Sequence, residues 1–354
     1  MPILKLPAEL KFLNHELTEK IREAIAASPG GIVIIPHENP DGDAIGSVTG
    51  LGRVLRNAGH QATVITPNDY PGFLKWLNNL VEIYPYSADK ERAALLIKES
   101  RIIFCLDFND PGRAGSLRKL IESSGALKIL IDHHPEPSGF CDITLSDTSC
   151  SSTAEMVYDF LIGIGYGKFM DEAAVEAIFT GIMTDTGSFS YGISNPNTFR
   201  VLSELVAYRI NPDKIHRNVY DNYSGDRMRL LGYCLSEKMV ILHEYRTAYI
   251  SLSRDEQKKY NFVPGDSEGF VNYPLSVSNI IFSALFIEKE DYVKVSLRSK
   301  GDFAVNAVCA AHFKGGGHRN AAGGESTLSL EQTINQFRQL LPSFLHQLNC
   351  VTFD

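Results

Sequence analysis

The chain has 354 residues, 44% of them hydrophobic and 21% charged, which is enough for two domains that each bury a core. Its formal net charge of −8 speaks against a grip on long nucleic acid through a basic stripe. It leaves small anionic substrates, held by metals and a few arginines. No apolar run approaches the roughly 20 residues that span a bilayer, so no membrane partner is expected.

The N-terminus, MPILKLPAELKFLNHELTEK, lacks the charged, apolar and small-residue layout of a signal peptide, and the expected compartment is the cytoplasm. GIVIIP (31–36) predicts a strand and DAIGSVTGLGRVLRNAG (43–59) a helix that ends at Gly59. QATVITP (61–67) is a second strand. RIIFCLDF (101–108) and LKILIDHH (127–134) carry the apolar runs IIFCL and ILI, the pattern of strands buried on both faces. SSTAEMVYDFLIGIG (151–165) and DEAAVEAIFTGIMTDTG (171–187) have helical patterns. This alternation predicts an α/β fold, a doubly wound parallel sheet over 1–210. Residues 197–240 are mostly helical, and 211–240 is expected to be a helical connector. MVILHEYRTAYISLS and YVKVSLRSKGDFAVNAVCAAH carry β-type alternation, and LEQTINQFRQLLPSFLHQL is an amphipathic helix. Together they predict a smaller α+β domain over 241–354, with a cleft between the two domains. The six cysteines, Cys105, Cys141, Cys150, Cys234, Cys309 and Cys350, form no CxxC pair and read as reduced thiols.

Open parallel sheets bind ligands at the carboxyl ends of their strands. The strand at 31–36 delivers His37, Asp41 and Asp43 there, in HENPDGDAIGS. The next apolar strand delivers Asp107, in CLDFND, and the one after it Asp132, His133 and His134. The helix from 171 ends in GIMTDTGSF and brings Asp185. Carboxylates crowded on one rim repel unless something positive lies among them. Four aspartates with two or three histidines are the ligand inventory of two divalent ions. The mixed oxygen and nitrogen donors suit Mn²⁺ best; Zn²⁺ or Co²⁺ could occupy the set, and Mg²⁺ is less suited to imidazole. Two such ions about 3.5–4 Å apart clamp a phosphoryl group and activate water, which is phosphoester hydrolysis.

Each piece alone has a plainer explanation. An HxxxDxD stretch can be a turn whose aspartate caps the following helix, with Asp43 as the cap. A DHH tripeptide can be structural, and TDTG can be a helix-ending turn. Their joint occurrence, in this order and each after an apolar run, is what points to a metal rim.

HENPDGDAIGS, LDFNDPGRAG, IDHHP, SSTAEM and GIMTDTGSF together resemble the DHH phosphoesterases. The later GGGHRNAAGG, preceded by VSLRSKGDFAVNAV, resembles the DHH-associated substrate-binding domain. The resemblance covers nearly the whole chain and is strongest to the compact two-domain branch of nanoRNase type. Enzymes of that branch degrade very short oligoribonucleotides and dephosphorylate 3'-phosphoadenosine 5'-phosphate. The resemblance implies that His37 and Asp41 bind one metal, that Asp43, His133 and Asp185 bind the other, and that Asp107 bridges them. It implies that His134 faces the scissile phosphate as charge stabiliser or acid, and that Asp132 orients the histidines.

On the substrate side, GGGH (315–318) would let backbone N–H groups approach a phosphate; the plainer reading is a hairpin or loop. Arg298 and Lys300, in and just after YVKVSLRS, are phosphate-binding candidates, and Arg113, in DPGRAG, is another near the metal rim. The resemblance assigns nucleotide binding to Arg298, Gly316, Gly317 and His318. The expected partners are short RNA oligonucleotides or mononucleotides, not long nucleic acid, and a homodimer is compatible with the sequence. The rival activities are a cyclic dinucleotide phosphodiesterase, a pyrophosphatase or polyphosphatase, and a nucleotide sensor without catalysis.

Overall fold

The computed structural model describes residues 14–28 and 31–352. Most of the N-terminal stretch read above for a signal-peptide layout, up to residue 13, lies outside them. The chain forms two compact units that divide between Asn222 and Tyr223, within the segment 211–240.

The first unit runs α1 (His15–Ala26), β1 (Ile32–Pro36), α2 (Gly42–Asn57), β2 (Ala62–Thr66), β3 (Ile83–Pro85), α3 (Lys90–Glu99), β4 (Ile102–Leu106), α4 (Arg118–Ser123), β5 (Leu127–Asp132) and β6 (Ile143–Ser146). It continues through α5 (Thr153–Gly163), α6 (Glu172–Asp185), α7 (Pro196–Val206) and α8 (Pro212–Tyr220). The six strands are all parallel, in the order β3-β2-β1-β4-β5-β6. The order reverses between β1 and β4, where open sheets of this kind leave a crevice at their carboxyl edge.

The unbroken apolar strands are explained by burial on both faces. Ile32 and Ile34 of β1 and Ile102, Phe104 and Leu106 of β4 join one core with the helices α2, α5 and α6. Val33, Ile35, Ile103 and Cys105 alternate with them and join a second core with α3 and α4. The sequence reading did not pick out β3, α3, α4 or β6, which are short or polar, nor α1.

On the first face, α2 and α6 meet backbone to backbone. A Cβ on Gly46 would lie 2.6 Å from the Ala177 carbonyl oxygen and 2.7 Å from the Gly181 nitrogen. Gly42 and Gly50, one turn to either side, lie against the side chains of Thr184 and Ile178 of α6. A glycine at every fourth position thus forms one smooth ridge along α2.

The second unit runs α9 (Gly225–Tyr233), β7 (Val240–Leu242), β8 (Thr247–Leu252), α10 (Arg254–Lys259), β9 (Phe282–Glu288), β10 (Val293–Ser299), α11 (Val305–His312), β11 (Gly316–His318), β12 (Ala321–Ser326) and α12 (Leu330–Cys350). Its sheet has the order β11-β12-β10-β9-β8-β7 and is mixed, with β8 and β9 parallel and every other pair antiparallel. One correction to the sequence reading falls here. The β-type alternation stops at Ser299, and VNAVCAAH is the helix α11. Its buried residues Val305, Val308 and Cys309 have i, i+3, i+4 spacing, a helical face in an alanine-rich segment. Among the described residues no helix is long and apolar enough to cross a membrane.

A capping box opens α10, with Ser253 and Glu256 each accepting from the other's backbone N–H. Burial works against the charge of Glu256. The Lys238 ammonium at 2.7 Å, the Ser253 N–H and the Tyr233 hydroxyl outweigh it and bring the carboxyl down from 4.5 to about 2.

Two outcomes follow from these contacts. Gly46→Ala should lower the unfolding free energy by about 1–3 kcal/mol in urea denaturation, because the helices must part to admit a methyl group; unchanged stability would mean that they do not meet as described. Glu256→Gln keeps the cap and removes the charge. A carboxyl with a depressed folded-state pKa contributes stability above its unfolded value and loses it as pH falls. The gap between wild type and variant should therefore be full at pH 7 and smaller at pH 3; an equal gap at both would rule out the charge as its source.

Candidate metal centre

Three adjacent strands, β1, β4 and β5, deliver their next residues to one edge. His37 follows β1 and is 7% exposed, its Nδ1 bonded to the Glu38 carbonyl at 2.8 Å. Asp107 follows β4 with φ at 67°, a left-handed backbone that a non-glycine residue adopts at a cost and that clusters at functional sites. Asp132 closes β5, and His133 and His134 come next, all three buried. From the helices come Asp41 and Asp43 at the start of α2, and Asp185 as the last residue of α6.

The cap of α2 is Asp41, whose Oδ1 accepts from the Asp43 and Ala44 N–H groups at 3.1 Å. The plainer explanation weighed for the sequence, with Asp43 as the cap, is not the one found. Asp43 instead turns to another element and accepts from the first N–H groups of α5, Thr153 at 2.7 Å and Ala154 at 2.8 Å.

His37 Nε2 lies 3.5 Å from Asp107 Oδ2 and 3.9 Å from Asp41 Oδ1. His133 Nε2 lies 3.6 Å from Asp107 Oδ1, 3.5 Å from Asp185 Oδ2 and 3.8 Å from Asp43 Oδ2. The two clusters, His37–Asp41–Asp107 and Asp43–Asp107–His133, share Asp107, which turns one oxygen to each. These separations exceed hydrogen-bond length. They suit donor atoms that each stand about 2.1 Å from a common ion.

The two histidines are also held from behind. His37 and His133 each direct Nδ1 to a backbone carbonyl, Glu38 and Cys150. A carbonyl only accepts, so Nδ1 carries a proton and Nε2 is the atom turned to the carboxylates, the one that would offer a lone pair to a cation once its own proton is lost. His134 Nδ1 bonds to Asp132 Oδ1 at 2.7 Å, which fixes that ring in turn.

The electrostatics of the cluster are those of a site short of positive charge. Burial, then the Asp107 and Asp185 carboxylates, push Asp43 well above the usual range. Burial and Asp107 push Asp132 up to about 7, and its Oδ2 is buried without a hydrogen-bond partner. Burial disfavours the charged form of His37, but Asp107 and Asp41 outweigh it and raise its pKa to about 10. His133 is raised against its burial by Asp185, Asp107 and Asp132. The donor types, their spacing and the unrelieved repulsion all fit divalent cations, and these residues could hold a metal.

Arg113 lies in the turn after β4, half-buried, and its charge is felt by His37, Asp41 and Asp132. Its carbonyl oxygen accepts from the Glu38 N–H at 2.7 Å and ties that turn to the loop after β1.

The remaining candidates lie in the second unit. Arg298 of β10 pairs with Ala321 of β12, which pairs with His318 of β11. Directly opposed residues project to the same face, so Arg298 and His318 stand on one face, roughly 9–10 Å apart across two strand spacings. The next row is Ser296, Gly323 and Gly316. This face is opposite to that of Val293, Val295 and Leu297, which lie in the core, and between Arg298 and His318 its floor is made of small residues. The glycine run itself is a hairpin strand. A Cβ on Gly315 would overlap the Gly323 carbonyl, and one on Gly317, at φ 135°, would lie 2.6 Å from the Ala321 oxygen. Gly316 has open space above it. Lys300 is engaged elsewhere, its Nζ donating to the Leu275 carbonyl.

Nothing local in SSTAEM marks a residue that touches the carboxylates, yet Thr153 does. Thr153 Oγ1 donates to Asp107 Oδ1 at 2.9 Å. The S-x-x-E pattern of Ser152 and Glu155 marks a helix start; it does not say that the helix start binds two carboxylates.

Residues 31–182 match the N-terminal domain of the DHH family, and residues 246–347 match the DHHA1 domain. A probable bifunctional oligoribonuclease and PAP phosphatase NrnA of Streptococcus mutans is 30% identical over 311 residues, covering 87% of this chain and 93% of that protein. The NrnA of Thermus thermophilus is 31% identical over 308 residues, with 86% and 88% covered. The crystal structure of an exopolyphosphatase-related protein of Bacteroides fragilis superposes with a TM-score of 0.91 at 40% identity, covering 96% of this chain and 100% of that one. By the extent of these similarities, and with both domains matched in order, the chain belongs to the DHH family of phosphoesterases.

Proposed function

We propose that the protein is a two-metal phosphoesterase that hydrolyses very short oligoribonucleotides and 3'-phosphoadenosine 5'-phosphate. The observation that carries this reading is Asp107, whose two oxygens face two different histidines, His37 and His133. The NrnA relatives support the substrate class over a cyclic dinucleotide. In this reading His37 and Asp41 hold one ion, Asp43, His133 and Asp185 hold the other, and Asp107 bridges them. The mixed carboxylate and imidazole donors favour Mn²⁺. When bound, such a pair of ions polarises a phosphoryl group and lowers the pKa of a water.

The chain's own groups do the rest. Asp132 receives the Nδ1 proton of His134 and holds the ring, so that Nε2 is the atom that stabilises the phosphate or gives a proton to the departing ribose oxygen. Arg113 draws the phosphate towards the rim, where its charge already reaches three of the site residues. Arg298, Gly316 and His318 bind the remainder of the nucleotide on the face of the second sheet opposite its core, with the backbone of Gly317 between them. The compartment is the cytoplasm; six free cysteines fit a reducing environment.

The deciding assay offers the purified protein with Mn²⁺ a diribonucleotide, 3'-phosphoadenosine 5'-phosphate, cyclic di-AMP, pyrophosphate and polyphosphate in parallel. Turnover of the first two, abolished in Asp107→Ala, is the expected result; preference for any of the others would replace the substrate assignment. In a second test, His134→Ala should retain both ions in calorimetric titration and lose about 10²–10⁴ of kcat, the usual share of a positioned acid. Loss of an ion in that variant would make His134 a ligand.

A further inference from the structure

The first turn of α5 touches two of the carboxylates through three donors. The Thr153 and Ala154 N–H groups hold Asp43, one on each oxygen, at 2.7 and 2.8 Å, and the Thr153 hydroxyl holds Asp107 Oδ1 at 2.9 Å. Thr153 and Ala154 are fully buried, so no water competes for these bonds. A helix N-terminus favours a carboxylate, and the N–H groups it offers Asp43 have no partner within the helix.

The hydroxyl bond matters differently. A carboxylate has about four acceptor sites, two on each oxygen. One site on Asp107 Oδ1 is taken by Thr153, and that oxygen faces His133 while Oδ2 faces His37. Rotation of the carboxylate about its Cβ–Cγ bond would break the Thr153 bond. The hydroxyl therefore fixes the plane in which Asp107 divides its oxygens between the two clusters.

Thr153 is itself clamped from behind. Glu155, fully buried, accepts from the Ser151 N–H at 3.1 Å and hydroxyl at 2.6 Å, from the Thr198 hydroxyl at 2.8 Å and from Asn197 Nδ2 at 2.7 Å. Four donors satisfy a carboxylate that would otherwise be costly to bury. Those from Asn197 and Thr198 tie the first turn of α5 to α7, and Ser152 caps the same turn through the Glu155 N–H at 3.0 Å.

We propose that Thr153 is a positioning residue that keeps the two oxygens of Asp107 directed to different metal ions, and that Glu155 holds Thr153 in register. The proposal rests on the two-metal reading of the site. Thr153→Val keeps the shape of the side chain and removes only the donor; Thr153→Ser restores the donor.

The test uses the full chain and Mn²⁺ alone. Calorimetric titration gives the number and affinity of the ions, and electron paramagnetic resonance reports magnetic coupling between two Mn²⁺ that share a carboxylate. Wild type is expected to bind two coupled ions. Thr153→Val should bind at least one of them about tenfold more weakly, as loss of a group that orients a ligand does, with diminished coupling, and Thr153→Ser should recover both. Thermal unfolding of the metal-free proteins checks that each is folded; if the valine variant is not, Thr153→Ala carries the same expectation. A folded valine or alanine variant with wild-type affinity and coupling would overturn the positioning role and leave the two-metal reading intact. Wild type binding fewer than two ions would overturn both.

Discussion

Gly46 lets the backbone of α2 lie against the backbone of α6, where even a methyl group would stand 2.6 Å from a carbonyl oxygen. The position of the carboxylates that the helices bring to the site depends on that approach. Asp43 sits in the first turn of α2 and Asp185 at the last residue of α6, so the two reach one place only if the helices meet closely and antiparallel at that end. Gly181 extends the constraint to a third helix. A Cβ there would meet Ala154 of α5 at 2.5 Å and Asp43 Oδ1 at 3.0 Å. Three helices are thereby fixed with respect to one another before any charge is considered.

The cost of this arrangement is electrostatic. Five aspartates stand within a few residues' reach, and two of them are pushed towards their neutral forms. The fold tolerates them because four of the five set at least one oxygen against a fixed donor: helix N–H groups on Asp41 and Asp43, a hydroxyl on Asp107, an imidazole on Asp132. Donors held by secondary structure need no reorganisation when a charge arrives, the same property that lets preorganised sites stabilise transition states. The left-handed backbone at Asp107 has the same logic: local strain is accepted where direction matters more than propensity.

Much of this was legible in the sequence because the chemistry lies close to strand ends. His37, Asp107, Asp132, His133 and His134 each follow directly on an apolar run or close it, and such runs are easily recognised when both faces are buried. What was not legible depends on long-range packing. Thr153 acts on Asp43 and Asp107, which lie 110 and 46 positions away, and no local pattern encodes that pairing. The misreading of VNAVCAAH has a different source, since small apolar residues fit a strand and a helix equally and only the sheet register shows where the strand stops. Short elements such as β3, with three residues, fall below the length at which periodicity carries information.

The glycine run in the second unit bears on how such sequences are compared. Gly315 and Gly317 are demanded by the hairpin they build, through backbone crowding at both and a left-handed φ at the second. Gly316, between them, has no steric neighbour within 4 Å. Three identical letters therefore carry two kinds of information, one about folding and one about what the open face can admit. A Cβ at 316 would meet no atom within 4 Å and leave the hairpin intact, whereas one at 315 or 317 would collide with the backbone of the paired strand. The middle letter is therefore free to vary without cost to the hairpin, and the outer two are not.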